Sequence, residues 1–598
     1  MSFQIPTLSM ARLTVPAALF VFAIGCSHEV EKSAGDSSSR KMAATATSVA
    51  IHPELNKQKQ QFIWDTEHLT FELETYVGKP LSKAVVQQDS MGIDEFLTDT
   101  FTSTWFTDHD PELIERSVVS QQMWDAAGNS TESVSRTDFP ARMLQRSGLI
   151  ATPGGSGLRV LHISRADGED STNRWQLDVL LTAKGTSKDG KQVQYLQTAD
   201  VQCEFRSDEE IRGRRVLTHW NVKSETVRVG DVFMKEVTNE FGINKQGMHD
   251  NWTAPPDRVQ LYTRQVAAAD YDNDGFQDLI VAEATGQTWL LHSQEGRSFE
   301  EVTSESGLRT RIPAGTLNCL VSWLDVDNDG LQDLLLGPDL YRNVDGHRFE
   351  NMTAESKLRI GRGPMSCAIA DFDCDGLVDI YILFQHSKTE RPARQKGWVG
   401  DDDSGGENEL WRNTGNGVFE NVAKSAGVEG GLKHSFSAAW LHANDDHYPD
   451  LYVANDFAQN SLFLNNGDGS FRDVSEVSRT ADFATSMGVA VGDIDGDGST
   501  EIYVANMYSK MGRRIISHVD EDDYEPGVYE QIKGSCAGNR LYQLSDDGES
   551  WKEVSEQVGV NAVGWAHAPA LADFNCDGLL DAYATAGFLS SVKGKPDG

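Results

Sequence analysis

The nine residues from Asp270 to Asp278, DYDNDGFQD, place carboxylates at positions 1, 3, 5 and 9 and glycine at position 6. The pattern returns as DVDNDGLQD from Asp325, DFDCDGLVD from Asp371, DIDGDGSTE from Asp493 and DFNCDGLLD from Asp573. A degenerate copy, HANDDHYPD, starts at His442. Six copies, 46 to 80 residues apart, make repetition the organising fact of the chain. Two unit charges about 4 Å apart cost on the order of 4 kcal/mol at an effective dielectric of ~20. A few such pairs exceed the ~5–15 kcal/mol that stabilises a typical fold. Either a cation sits among the carboxylates or the loops splay into water.

The flanks repeat as well. A run of small and apolar residues precedes each loop (QVAAA, SCAIA, MGVAVG), and a β-type run follows it (LIVAE, IYILF, IYVAN). Next come two strand-like halves around an Asn/Asp/Gly turn, as in LFLNNGDGSFRDVS, which is a hairpin signature. Four antiparallel strands per unit, repeated about an axis, predict an all-β propeller of four-stranded blades. The count gives six blades; a seventh without an acidic loop stays open. The last copy has only its first two strands before Gly598. Thr226–Ile243, TVRVGDVFMKEVTNEFGI, matches the outer hairpin and the FxxV pattern seen at Phe299, Phe349, Phe419, Phe471 and Trp551. It is expected to supply the missing pair and join the two ends, removing open edges.

If each loop curls, the side chains at positions 1, 3 and 5 converge, and glycine permits the bend. A carbonyl at position 7 and a carboxylate at position 9 complete an all-oxygen shell, which suits Ca²⁺ better than Mg²⁺, zinc or copper. The candidate ligands are Asp270, Asp272, Asp274 and Asp278; Asp325, Asp327, Asp329 and Asp333; Asp371, Asp373, Asp375 and Asp379; Asp493, Asp495, Asp497 and Glu501; and Asp573, Asn575, Asp577 and Asp581. About five structural calcium sites are expected. The fourth loop offers His442, Asn444, Asp446 and Asp450, with His447 replacing glycine, and is expected to bind weakly or not at all. An EF-hand needs a bidentate Glu at position 12. That position holds Val281, Leu336, Ile382, Val453, Val504 and Ala584, so the helix–loop–helix alternative fails.

The chain carries 53 basic and 91 acidic residues among 598, a formal charge of -38. That balance argues against binding nucleic acid, which needs a basic face. After Arg12 the run LTVPAALFVFAIG ends at Cys26. It is too short to span a membrane comfortably and reads as a signal-peptide core. Ala23-Ile24-Gly25-Cys26 resembles a bacterial lipoprotein box, so residues 1–26 are expected to be a signal peptide with Cys26 lipidated. Residues 27–59 read as a flexible polar tether. Residues 60–225 lack the acidic repeat and read as a small α+β domain of NTF2-like or cystatin-like type. In it PLSKAVVQQ and IDEFLTDTF look helical, WQLDVLLTA, KQVQYLQTADVQCEF and VLTHWNV look like strands, and Asp189-Gly190 marks a turn. Residues 226–598 form the repeat region. No CxxC pair occurs among the other six cysteines, and their pairing is not readable from sequence.

Two insertions interrupt the array, one from Phe384 and one from Met507 to Asn539, each readable as a functional loop or a solvated excursion. HExxH, GxSxG, Walker and dinucleotide glycine motifs do not occur. His434, His442, His518 and His567, with Trp440 and Trp565, are the candidates should the scaffold carry a polysaccharide lyase or hydrolase. An LDV tripeptide at Leu177 lies in a predicted strand.

These acidic loops resemble the FG-GAP/VCBS repeats of integrin-type propellers, over about Thr226 to Gly598. YVANMYSKMGRRI, GNRLYQLSDDGESWKEVSEQVGV and WAHAPALADFNCDGLLDAYATAGF are similar to the bacterial relatives of cartilage acidic protein, the ASPIC/UnbV-associated group. The chain reads as a short member of that group or as an incomplete product, since many members carry a further C-terminal domain. The resemblance implies an exported, calcium-binding propeller for adhesion or ligand recognition. It would be held at the cell envelope by a lipid anchor and face a protein or glycan ligand at the cell surface.

Overall fold

A computed structural model describes residues 55–587 except 116–117, 128, 167–172, 233, 244–247, 249–263, 284–285, 313–319, 362, 386–404, 525 and 546. The signal peptide, Cys26, most of the tether and most of the first insertion lie outside the described residues.

The N-terminal domain opens with α1 (Lys57–Leu73), a π turn and α2 (Lys79–Val86), followed by α3 (Ser90–Asp94). The Asn56 side chain accepts from the Gln58 amide at 2.9 Å and caps α1, so structure begins inside the segment read as tether. Then come β1 (Leu97–Phe106), β2 (Glu112–Glu115), β3 (Val119–Asp125), β4 (Thr131–Val134), α4 (Phe139–Ser147), β5 (Thr152–Arg165), β6 (Arg174–Thr186), β7 (Gln192–Glu204), α5 (Asp208–Arg212) and β8 (Leu217–Gly230). The sheet runs β2-β3-β8-β7-β6-β5, with β1 parallel to β8 and β4 against β1. In β6 every second residue is buried, so one face meets the helices. The Asp189-Gly190 turn joins β6 to β7, with Gly190 at φ 87°.

Three expectations need correction here. Of Ile93–Phe101, read as helical, only Ile93 and Asp94 are; Leu97 onward is β1, whose inward Phe101 and Trp105 join the core. The boundary at 225 falls inside β8. Thr226–Gly230 pairs with both β3 and β7 and is therefore not an outer strand of a repeat. Only the end of that stretch behaves as a repeat: the Phe299 amide donates to Phe241 O at 2.8 Å, as Phe349 does to Ser306 and Trp551 to Ser478.

Beyond it the chain is mostly β, built as successive antiparallel sheets. The first has strands Arg264–Ala269, Asp278–Glu283, Thr288–Ser293 and Phe299–Glu301. The second has Val321–Leu324, Asp333–Leu336, Asp339–Asn343 and Phe349–Asn351; the third Pro364–Ala370, Asp379–Phe384, Glu409–Asn413 and Phe419–Asn421. The fourth (His434–Leu441, Asp450–Gln459, Ser461–Asn465, Phe471–Asp473) is joined to the fifth (Phe483–Gly492, Glu501–Asn506, Arg540–Leu544, Trp551–Glu553). The link is a pairing of Asp456 with Thr485 and Gln459 with Phe483. The sixth has two strands among the described residues, Ala566–Ala572 and Asp581–Ala586.

First strands of consecutive sheets pack side by side in chain order. Each apolar core is shared by two neighbours: Tyr271, Ile280 and Leu290 of the first sheet meet Leu334, Tyr341 and Phe349 of the second. The same sharing recurs between later neighbours.

The second insertion is not a solvated excursion. It folds into helices Lys510–Ile516 and Val528–Gly534 and docks on the N-terminal domain. Arg514, buried there, grips the Glu67 carboxylate through Nε (2.6 Å) and Nη2 (2.5 Å) and donates to Val160 O at 2.9 Å. Leu55 and Ile63 pack with Val519, Tyr524 and Tyr529 beside it. No helix among the described residues is long and apolar enough to cross a membrane.

A candidate metal centre in the acidic loops

Each loop joins the first two strands of its sheet, and position 9 is the first residue of the second strand. In loops 1, 2, 3 and 6 the residue at position 4 is left-handed without being glycine: Asn273 (φ 59°), Asn328 (57°), Cys374 (57°) and Cys576 (59°). Position 6 is left-handed too, from Gly330 at φ 86° to Gly275 at 93°. A Cβ there would meet nothing within 4 Å, so torsion rather than space demands glycine.

These torsions wrap the backbone around the carboxylates. The position 1 side chain accepts the amides of positions 5 and 6. Asp270 does so at 3.0 and 2.9 Å, and Asp325, Asp371, Asp493 and Asp573 repeat it. The position 5 carboxylate of Asp274, Asp329, Asp375, Asp497 and Asp577 accepts the amide of position 7.

The acid at position 9 has a different task. Asp379, fully buried, accepts from the Phe372 amide at 3.1 Å and, across the sheet, from the Asn413 amide at 2.8 Å. Asp278, Asp333 and Asp450 form the same two bonds. Glu501 accepts from Ile494, and Asp581 from Phe574 and the Asn575 amide side chain. The third-strand asparagines then reach back to the preceding loop. Asn343 donates to Tyr271 O at 2.8 Å, Asn413 to Val326 O at 2.9 Å and Asn465 to Phe372 O at 2.7 Å. Position 4 adds a second link, Asn273 to Gly330 O at 3.0 Å and Asn328 to Gly376 O at 2.6 Å. These interlocks escaped the sequence reading, although the endings of DLYRN, ELWRN and SLFLN carry their signal.

Position 3 is the half-filled member. A residue of the third strand faces it in sheets 1, 2, 3 and 5: His292 near Asp272 (3.6 Å), Arg342 on Asp327, Arg412 on Asp373 (2.6 Å) and Gln543 on Asp495 (3.0 Å). Even so, Asp327 Oδ1 and Asp373 Oδ1 are buried with no hydrogen-bond partner among the described residues. Such oxygens are costly unless something positive meets them. Oxygens of Asp270, Asp272 and Asp274, of Asp325, Asp327 and Asp333, and of Asp371, Asp373 and Asp379 lie within 4.8 Å of one another in each set. An all-oxygen set with two orphaned buried oxygens fits a hard divalent cation.

The fourth loop departs from this plan. His442 stands at position 1, and neither Asp445 nor His447 adopts a positive φ. Asn444 Nδ2 donates to Asp446 Oδ2 at 2.9 Å, so the loop meets its own charge with an amide.

Burial pushes the carboxyls of Asp333, Asp379 and Glu501 up to about 7 and that of Asp450 to about 6. Backbone amides oppose the shift, and nearby carboxylates add to it. These values lie above those of the unfolded chain, so the protonated forms favour the fold. That stability is present at low pH and is lost as pH rises through about 7. Chelated protein is therefore expected to become less stable from pH 5 to pH 8, by on the order of 1 kcal/mol per such carboxyl after allowance for partial exposure. Urea midpoints in chelator across that range check this; a midpoint that rises with pH contradicts it.

The residues considered for catalysis do not form one site. His434 Nδ1 lies 2.7 Å from Gln385 O, and Trp440 packs on Tyr381 and Phe471. His442 belongs to loop 4, and His518 sits against Phe62 at the N-terminal domain. Trp565 bridges Met507 at the start of the sixth sheet, where His567 also lies. Leu177 of the LDV tripeptide is buried in β6. The five cysteines among the described residues are free thiols.

An FG-GAP-like repeat family model matches residues 270–336 and 443–504, spanning the loops of sheets 1, 2, 4 and 5. Cartilage acidic protein 1 of Xenopus tropicalis is 28% identical over 322 residues, covering 47% of this chain and 46% of that protein. The chain thus spans about half the length of the curated relative it matches. Among solved structures, BBS1N in complex with ARL6DN shares 9% identity over 60% of this chain and 91% of that one, with a TM-score of 0.24. The V. cholerae biofilm matrix protein Bap1 shares 10% over 81% and 84%, with a TM-score of 0.26.

Proposed function

We propose that this chain, which carries FG-GAP-like repeats and is similar to cartilage acidic protein 1, is an exported, calcium-stiffened β-propeller serving as a scaffold for ligand recognition or adhesion. The observation that carries the metal is the repeated carboxylate cage, with Asp327 Oδ1 and Asp373 Oδ1 buried and without a hydrogen-bond partner among the described residues. Asp325, Asp327, Asp329 and Asp333 would hold one ion, and the matching residues of loops 1, 3, 5 and 6 the others. The ion would supply charge neutralisation; the backbone amides at positions 5, 6 and 7 already hold the carboxylates in place.

Propeller geometry is supported by the side-by-side first strands, by cores shared between neighbours, and by Phe241 meeting Phe299 as Ser306 meets Phe349 and Ser478 meets Trp551. Glu236–Ile243 would then be the closing segment that ties the sixth unit to the first. Cys26 would carry the lipid that anchors the protein to the envelope.

The reading favours a protein or glycan ligand over turnover. Calcium-loaded protein on glycan and cell-surface protein arrays is expected to give saturable binding that chelator weakens at least tenfold, with no change in the captured ligand by mass. Depolymerisation of a bound polysaccharide would overturn the scaffold reading.

A further inference from the structure

We propose that His162 and His518 form an acid-released latch holding the N-terminal domain against the insertion of the fifth sheet. His162 projects from β5 and His518 follows the helix Lys510–Ile516; their rings lie 5.1 Å apart, tilted by 32°. Ser517 Oγ donates to Arg514 O at 2.7 Å, which leaves it to accept from His162 Nδ1 at 2.8 Å. Phe62 of α1 closes the other side of His518, edge-on at 5.3 Å. His518 Nε2 is buried with no hydrogen-bond partner among the described residues.

The anions near His518 are already paired with cations, whereas Asp178 faces His162 directly across the ladder. From α1 come Lys59, paired with Asp520 and Asp523, and Glu67, held by Arg514. From the insertion come Arg514, Asp520 and Asp523 themselves. From β6 comes Asp178, opposite His162 in the ladder and 3.8 Å from Lys223, which also pairs with Asp200 of β7. A proton added to His518 would sit beside Arg514 and Lys59 in a partly desolvated seam. Burial, then His162, Arg514 and Lys59, push His518 down to about 4 from an ordinary value near 6.5. The value is depressed in the docked state. Docking is therefore favoured above about pH 6.5 and is lost progressively as pH falls toward 4. The ring is partly exposed, so the docking equilibrium should fall by about 5–20-fold between pH 7.5 and pH 5.

The insertion also walls two adjoining cavities of about 820 and 760 Å³, with Glu530 lining both. Release would leave that wall held by its own sheet alone.

The test is hydrogen–deuterium exchange of the whole chain at pH 7.5 and pH 5.0, with calcium present and intrinsic rates corrected. Protection of 57–73 and 510–534 should drop by about tenfold at pH 5.0, while the strands of the second sheet keep theirs. His518→Phe should hold protection at both values. Equal protection of the wild type at the two pH values, or an unchanged pH response in His518→Phe, overturns the latch. Should that variant not fold, NMR titration of the wild-type ring decides: a His518 midpoint well below 6 upholds the latch, and one near 6.5 overturns it.

Discussion

Removing divalent cations should lower the unfolding midpoint of the repeat region by roughly 10–15 °C. Extracellular modules bind calcium with Kd of about 10⁻⁴–10⁻³ M. At about 1 mM free calcium and a Kd near 0.1 mM, linkage gives ~1.4 kcal/mol per site. Five competent loops then contribute roughly 7 kcal/mol, as much as holds many whole domains together. In a region of this size each kcal/mol moves the midpoint by about 2 °C. Calorimetry with calcium and with chelator measures the shift. Superimposable transitions would show that the carboxylates are neutralised some other way. Loop 4 should add nothing, so Asp446→Ala should leave the calcium-dependent increment intact.

Asp379→Ala should cost about 3–5 kcal/mol even in chelator, with the loss of the loop's calcium contribution added when calcium is present. The carboxylate is buried and accepts two amides, Phe372 and Asn413, which the substitution leaves unsatisfied. Each orphaned buried donor costs about 1–3 kcal/mol, with the small cavity added. Asp373→Asn offers the contrast. It relieves a buried oxygen that no described residue meets, so it should cost about 1–2 kcal/mol in calcium and almost nothing in chelator. Urea midpoints of the two variants in both buffers separate the roles. An equal cost of the two in chelator would mean that positions 3 and 9 do not have different roles.

The loops were legible because their chemistry is local. Three aspartates at alternate positions and a glycine are close in sequence and in space, and the acid that opens the next strand follows at a fixed offset. The strands of β6 and β7 were legible for a related reason, since strict alternation survives over 13 residues in each. Thr226–Gly230 was misassigned because Val227 and Val229 suit either of two sheets. Pairing with β3 and β7 decides between them, and that contact is tertiary. The docked insertion was invisible for the same reason. Arg514 and Glu67 are 447 residues apart, and nothing in YSKMGRRII announces a partner. The weakness of loop 4 was readable from His442 and His447; its altered backbone and the Asn444–Asp446 bond were not.

The N-terminal domain meets the repeats at two separated places. β8 runs on toward Glu236–Ile243 beside the first sheet, and α1 with β5 grips the helices that leave the fifth. Tension applied through the leading end of the chain would therefore divide between two load-bearing points, as in a bridle. A pull in flow would have to peel the Arg514 clasp and shear the β8 ladder together before any single sheet bore the whole force.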